Sequence, residues 1–334
     1  MYKQKHLPFK LFSFCHHFKR ILQIYSKSQI LLLLLVTLQF LQANNTMKNK
    51  KIDDGIKKIR DRIAQFCHKP NLKKEAYPQF LFQSEKQGIL FIHGIDDEAQ
   101  LMQEIFDYFK IRGFTVYNIT LPGRGQNIED LANTTWQEWV AETKFDYQLL
   151  SRITQSTYII GFSTGATVAL KLTEELTDND QPTALLLLSP AIHLIAPFIP
   201  LSFTKRGVEI MCQVKPFTKK IDNYHLIFRD EEARKKYART DRKSSSRAIL
   251  ELICLMENTK KNIQNITCPV LIMQSKKDVV VCPSGANWLN KNLSTDKSLI
   301  WLNKSGHPIM VDLEKQTVFA ACLDFIKKWN NYEK

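Results

Sequence analysis

Six short apolar runs constrain this chain more than any other feature, because between residues 87 and 303 they alternate with longer segments patterned as helices. The runs are GILFIHG (88–94), FTVYNI (114–119), TYIIGF (157–162), ALLLLSP (184–190), PVLIMQS (269–275) and SLIWLN (298–303). Leu185 to Leu188 leave no polar side for water, so that strand must be covered on both faces, as happens in a parallel sheet sandwiched by helices. Helical spacing falls near 98–111, 136–152, 164–176, 284–292 and 312–330. The βαβα order predicts an α/β fold with a doubly wound, mostly parallel sheet. Residues 191–262 break the rhythm with no convincing sheet strand, and an excursion of that length predicts a helical cap over the site. Within it, Ile195, Pro197, Phe198, Ile199 and Leu201 predict an apolar cap lining.

Composition narrows the classes. The 334 residues are 44% apolar, enough for a full core, and the net charge of +14 is unevenly placed. Residues 1–46 hold Lys3, Lys5, Lys10, Lys19, Arg20 and Lys27 and no acid, so the rest of the chain is only mildly basic and a nucleic-acid partner is not expected. Seven cysteines without a CxxC pair, and eight histidines without HExxH or clustering, argue against a disulfide framework and a metal site.

Three segments precede or make up the body. Residues 1–46 are basic and carry the apolar run QILLLLLVTLQFLQA (29–43), which is of signal-peptide length. Leu-Gln-Ala at 41–43 is a poor cleavage site, which favours an uncleaved anchor and predicts membrane association through residues 21–41. Met47 offers the alternative of a cytoplasmic protein whose translation begins there. Residues 47–85 open with Ile52, Ile56, Ile59, Ile63 and Phe66 on one helical face, an amphipathic helix with a linker behind it. The main domain is expected over 86–330.

Gly161-Phe162-Ser163-Thr164-Gly165 follows a strand and precedes a helix, the context that gives G-x-S-x-G its meaning. Glycines two residues either side of Ser163 let the backbone turn sharply and expose the hydroxyl. A serine is a weak nucleophile without a base. His307 lies in a Ser-Gly-His-Pro turn after the last strand and is the candidate base. Asp278, three residues beyond Ser275, is the candidate acid that orients it, and the order Ser, Asp, His is the one this architecture uses. Asp312 and Glu314 are also near His307 but are expected at a helix start, where acids complement the dipole. The main-chain N–H groups of Thr164 and Ile95 are the candidate oxyanion donors. His93, beside Ile95, reads as a structural ring holding its loop.

With these residues in view, the sequence resembles the α/β-hydrolase superfamily, and within it the carboxylesterase and monoacylglycerol lipase group, over roughly residues 86–330. LFIHGI matches the oxyanion turn, LPGRG (121–125) the turn after the next strand, TTWQEWVAE (134–142) the Trp-x-x-Trp segment, and GFSTGA the nucleophile elbow. QSKKDVVV and SGHPIMVDLE match the acid and histidine turns. Arg124 stands where the group usually has histidine, and Thr164 where a bulkier or amide side chain is frequent. The resemblance implies hydrolysis of carboxylic esters with no cofactor, and the apolar cap residues suit short to medium acyl chains, with monoacylglycerol-type lipids among the expected substrates. An acyltransferase or thioesterase using the same three residues, and a non-catalytic binding protein, are the alternatives.

Overall fold

The computed structural model describes residues 27–95, 99–194, 201–219, 224–238 and 243–330. It divides into two units, Met1–Asp54 and Gly55–Lys334. In the first, the described backbone is helical: α1 spans Lys27–Cys67, and its residues up to Asp54 fall in this unit. Among the described residues no helix is long and apolar enough to cross a membrane. The segments 1–26 and 195–200 lie outside the described residues, and with them part of the expected anchor and Ile195, Pro197, Phe198 and Ile199 of the expected cap lining.

The second unit begins inside the segment read from sequence as helix and linker. The Gly55–Cys67 part of α1 buries Ile59 completely, with Ile56, Ile63 and Phe66 partly covered. A Cβ on Gly55 would overlap the Ile153 side chain, so the glycine permits this close approach. Arg62 adds a polar clamp, donating from Nε to Asp146 and from Nη2 to Glu142 at 2.6 Å.

A seven-stranded sheet forms the centre, in the order β1-β3-β2-β4-β5-β8-β9. Its strands are β1 (Gln79–Leu81), β2 (Gln87–Ile92), β3 (Thr115–Asn118), β4 (Ser156–Phe162), β5 (Ala184–Leu188), β8 (Val270–Ser275) and β9 (Lys297–Leu302). Only β1 runs antiparallel, pairing Phe80 with Tyr117 of β3. This three-residue edge strand precedes residue 86, so the sheet starts earlier than the sequence pattern suggested. All six strands expected from sequence are present.

The two sheet faces are covered by different helices, as the alternation of side chains along a strand requires. On one face Ile89, Phe91, Ile160, Phe162, Leu186, Leu188 and Met273 pack with α2 (Gln103–Lys110) and α11 (Lys315–Lys328). On the other, α5 (Thr164–Glu174) lies on β4, β5 and β2, flanked by α4 (Trp136–Ser151) and α9 (Ser246–Thr259). α3 (Ile128–Ala132) precedes α4, and α10 (Ser284–Asn292) joins β8 to β9. Leu185 to Leu188 are wholly buried, and burial of each such side chain contributes about 1.5–3 kcal/mol.

The interval 191–262 needs two corrections. It contains a small antiparallel pair outside the main sheet, β6 (Phe217–Lys219) with β7 (Lys243–Ser245). Its last helix, α9, is also not part of a cap: capped by Ser245, whose hydroxyl accepts from Ala248 N at 3.2 Å, it buries Leu252, Ile253, Leu255 and Met256 in the layer that covers the sheet. The described part of the excursion is therefore α6 (Leu201–Val214), β6, α7 (Tyr224–Ile227), α8 (Glu231–Tyr237) and β7.

Topology sets the position of the site. The chain winds outward from β2 to β3, then returns to the other side of β2 with β4, so the strand order reverses between β2 and β4. A crevice forms at such a switch point, beyond the carboxyl ends of the strands. The turns carrying Ile95 and Ser163 leave those two strands there.

Candidate active site

Ser163 adopts φ 53° and ψ −116°, a conformation that L-residues avoid, between the end of β4 and the first turn of α5. The fold over-determines it: Ser163 N donates to Leu188 O at 2.9 Å, and Ser163 O accepts from Ala191 N at 3.2 Å and Ala166 N at 3.1 Å. Both flanking glycines are required. A Cβ on Gly161 would sit 2.6 Å from Gly165 O, and one on Gly165 would overlap the carbonyls of Ile92 and His93. Helix α5 thus packs directly against the turn after β2.

The other two candidates meet the serine. His307 Nε2 lies 3.0 Å from Ser163 Oγ, and His307 Nδ1 lies 2.7 Å from Asp278 Oδ2. All three are at most 7% exposed. With Nδ1–H donated to the carboxylate, Nε2 is left to accept from the serine hydroxyl. Phe162 packs beside the imidazole at a centroid distance of 4.9 Å.

Asp278 is held as an anion. Its Oδ1 accepts from Val280 N at 2.8 Å and Val281 N at 3.0 Å, and Oδ2 also accepts from Gln274 Nε2 at 2.9 Å. Burial pushes this carboxyl up, but the His307 ring and the two main-chain donors outweigh burial and hold it below the ordinary carboxylate value.

Thr164 N is the first helical N–H, where no intrahelical acceptor exists. Ile95 follows the His93-Gly94 turn. Among the described residues neither N–H has a hydrogen-bond partner. His93 is fully buried, its Nδ1 2.7 Å from Gly94 O while Nε2 accepts from Leu121 N at 3.1 Å. An imidazole that accepts at Nε2 is neutral with its proton on Nδ1, which makes His93 a brace between the turns after β2 and β3.

Several supports were either not singled out from sequence or, as with Asp312 and Glu314, read there only as helix-start acids. Ser189, at φ 46°, directs its hydroxyl to His307 O at 2.8 Å. Ser275 Oγ donates to Ser305 O, tying the acid turn to the histidine turn. Asp312 lies in a turn ahead of α11 rather than at its start, and accepts main-chain N–H groups from Gly306 and from the adjacent Arg229 and Asp230. Glu314 gathers the N–H groups of Asn303, Lys304 and Ser305. Short polar side chains that bond main chain across long sequence separations carry no local pattern, which is why they escape sequence reading.

Next to these residues lies an apolar cluster of Ala191, Leu252, Met256 and Val281, against which Ile95 and Leu194 pack. Among the described residues there is no group of His, Cys, Asp and Glu able to hold a metal ion.

Comparison with known proteins bears on the family and the fold. The thermostable monoacylglycerol lipase of Bacillus sp. (strain H-257) is 26% identical over 252 residues, 75% of this chain and 94% of the relative. The carboxylesterase of Bacillus subtilis (strain 168) is 24% identical over 254 residues, 75% of this chain and 96% of the relative. The crystal structure of Paleococcus ferrophilus monoacylglycerol lipase superposes with a TM-score of 0.64 at 19% identity, covering 76% of this chain and 98% of that one, and shows a shared fold. The family model described as Hydrolase_4, serine aminopeptidase S33, matches residues 83–314, and the chain belongs to that α/β-hydrolase family.

Proposed function

We propose that the chain hydrolyses carboxylic esters of short to medium acyl chains, monoacylglycerol-type lipids among them, through an acyl-enzyme on Ser163. The single observation that carries this reading is the unbroken bond chain Ser163–His307–Asp278 beneath a strained strand-to-helix turn. The names of the two Bacillus relatives support the ester class. The apolar cluster around Ile95 and Leu194 supports an acyl group as the part of the substrate bound next to the serine.

In this reading Ser163 Oγ attacks the acyl carbonyl while His307 Nε2 takes the hydroxyl proton. Asp278 stabilises the imidazolium without itself being protonated. The carbonyl oxygen, now carrying charge, receives the N–H groups of Thr164 and Ile95, each such donor being worth about 10²–10³ in rate. The tetrahedral adduct expels the alcohol, which takes the proton from His307. Water then attacks the acyl-enzyme with His307 as base, releasing the acid and restoring Ser163.

The same proposal places the protein at a membrane through the N-terminal apolar segment. It is supported by the run Ile30–Val36, which lies in helix α1, and by the acid-free basic stretch before it. Flotation of the full chain with anionic vesicles tests this part, and recovery of the protein wholly in the lipid-free fraction would refute it.

Turnover of p-nitrophenyl esters of increasing acyl length by wild type and Ser163→Ala tests the main reading. Loss of turnover in a folded Ser163→Ala protein is the expected result. Retained turnover would remove the serine from the reaction.

A further inference from the structure

Asp312 is 1% exposed and sits five residues beyond His307. Its Oδ2 accepts from Gly306 N at 2.7 Å and Arg229 N at 2.9 Å, and its Oδ1 from Asp230 N at 2.6 Å and Leu313 N at 2.8 Å. Among the described residues no cationic side chain pairs with it. A buried carboxylate satisfied only by main-chain donors is costly to desolvate, and only several charge-assisted bonds, each about twice as strong as a neutral one, offset that cost.

The donors come from two places that matter. Gly306 belongs to the turn that delivers His307, whereas Arg229 and Asp230 join α7 to α8 in the excursion after β5. A further bond ties these segments directly: His307 N donates to Ile227 O at 3.0 Å. Contact between the two segments is so close that a Cβ on Gly306 would overlap the Ile227 carbonyl. From behind, Ser189 Oγ holds His307 O at 2.8 Å. The main chain of His307 is therefore gripped at its N–H by the excursion and at its carbonyl by the end of β5, with Asp312 as the bracket that fixes the excursion to the turn.

We propose that Asp312 is a positioning residue for His307, locking the Ile227–Asp230 segment to the histidine turn so that Nε2 is held within reach of Ser163 Oγ. The proposal rests on the reading that Ser163 and His307 carry out ester hydrolysis. Asp312 acts through the turn; of the two aspartates, Asp278 is the one that contacts the imidazole. In Asp312→Asn one oxygen becomes an NH2 that faces two main-chain donors whichever way the amide is turned. The bracket opens on one side without change in side-chain size. A displacement of about 1 Å between reacting groups lowers rate by up to about 10²-fold.

The test measures ester turnover by full-length Asp312→Asn, with the burst of p-nitrophenol used to count active sites, so that a smaller folded fraction does not lower the rate per site. The expected result is a roughly 10- to 10²-fold lower kcat per active site with KM within about threefold of wild type, and Asp312→Glu not restoring it, because its longer arm overshoots the turn. Gly306→Ala, which presses on Ile227 while leaving the Asp312 carboxylate in place, is expected to show the same split and serves as the readout should Asp312→Asn fail to fold. Wild-type kcat per active site in either folded variant, with only thermal stability reduced, would overturn the proposal and leave Asp312 a structural bracket. Ser163→Ala run alongside separates the two claims: activity there would overturn the proposed function, whereas its absence together with a fully active Asp312→Asn would overturn only the positioning role.

Discussion

Replacing Asp278 by Asn is the substitution whose outcome the geometry defines most closely. Four donors converge on this carboxylate, two on each oxygen: Val280 N and Val281 N on Oδ1, His307 Nδ1 and Gln274 Nε2 on Oδ2. An asparagine keeps one acceptor and introduces two N–H groups. Turning its oxygen toward Val280 and Val281 preserves the acid turn and directs the NH2 at His307 and Gln274. Gln274 accommodates this by rotating its amide, since its Oε1 has no partner among the described residues and can accept. His307 accommodates it only by accepting at Nδ1, which moves its proton to Nε2. An imidazole protonated at Nε2 donates to Ser163 Oγ and can no longer take its proton. The expected effect is a fall in kcat of about 10⁴-fold, as in the serine protease case where an acid-to-amide change traps the wrong tautomer. At 1.36 kcal/mol per factor of ten this is about 5.5 kcal/mol of transition-state stabilisation. The assay is p-nitrophenyl butyrate turnover at pH 7–8 beside a thermal melt. A folded Asp278→Asn protein with kcat within tenfold of wild type would refute the tautomer argument.

Acid stability of wild type and Asp278→Asn should also differ in a defined direction. The Asp278 carboxyl is held below its ordinary value of 3.8 in the folded protein, so it contributes stability that is present above that pH and lost as pH falls through the lower, folded-state value. The melting temperature of wild type should therefore drop more steeply than that of Asp278→Asn below about pH 4, and parallel curves would contradict the sign. Gly165→Ala should push α5 away from the carbonyls of Ile92 and His93, lowering kcat per active site by about 10²-fold through the displaced Thr164 and Ile95 donors, with an overpacking cost of about 1–3 kcal/mol in chemical denaturation. Arg62→Ala leaves Asp146 buried with Tyr117 OH as its remaining side-chain donor at 2.7 Å. Because Arg62 is itself 28% exposed, a loss near the lower end of the buried-pair range, about 3 kcal/mol, is expected in urea unfolding, with kcat unchanged.

What the sequence disclosed was decided by locality. Ser163, Asp278 and His307 each sit in a short pattern after a strand, and those patterns carry the strand-turn context with them. The apolar run Leu185–Leu188 likewise announces a two-sided burial that no edge strand would tolerate. By contrast β1 has only three residues, one facing solvent, too few to show a period. β7 reads Lys-Ser-Ser and owes its strand geometry to pairing with Phe217–Lys219. Helix α9 has a clear apolar face, but periodicity says only that the face is buried and not whether a cap or the sheet layer covers it. Asp312 shows the same limit from the polar side: its position suggested a helix-dipole role, and the donors that define it come from residues 306 and 229–230, the latter more than eighty positions away in sequence.

The claim on which the account stands is that Ser163 becomes acylated. Mixing the protein with a p-nitrophenyl ester, quenching in acid within the first turnovers and mapping the digested peptides by mass tests it directly. The account predicts a mass increase of one acyl group on the peptide that contains Ser163 in wild type, a longer-lived adduct when water attack is slowed, and none in Ser163→Ala. An unmodified Ser163 peptide during active turnover, or an acyl group carried instead by another side chain such as Ser284 or Cys282, would contradict it.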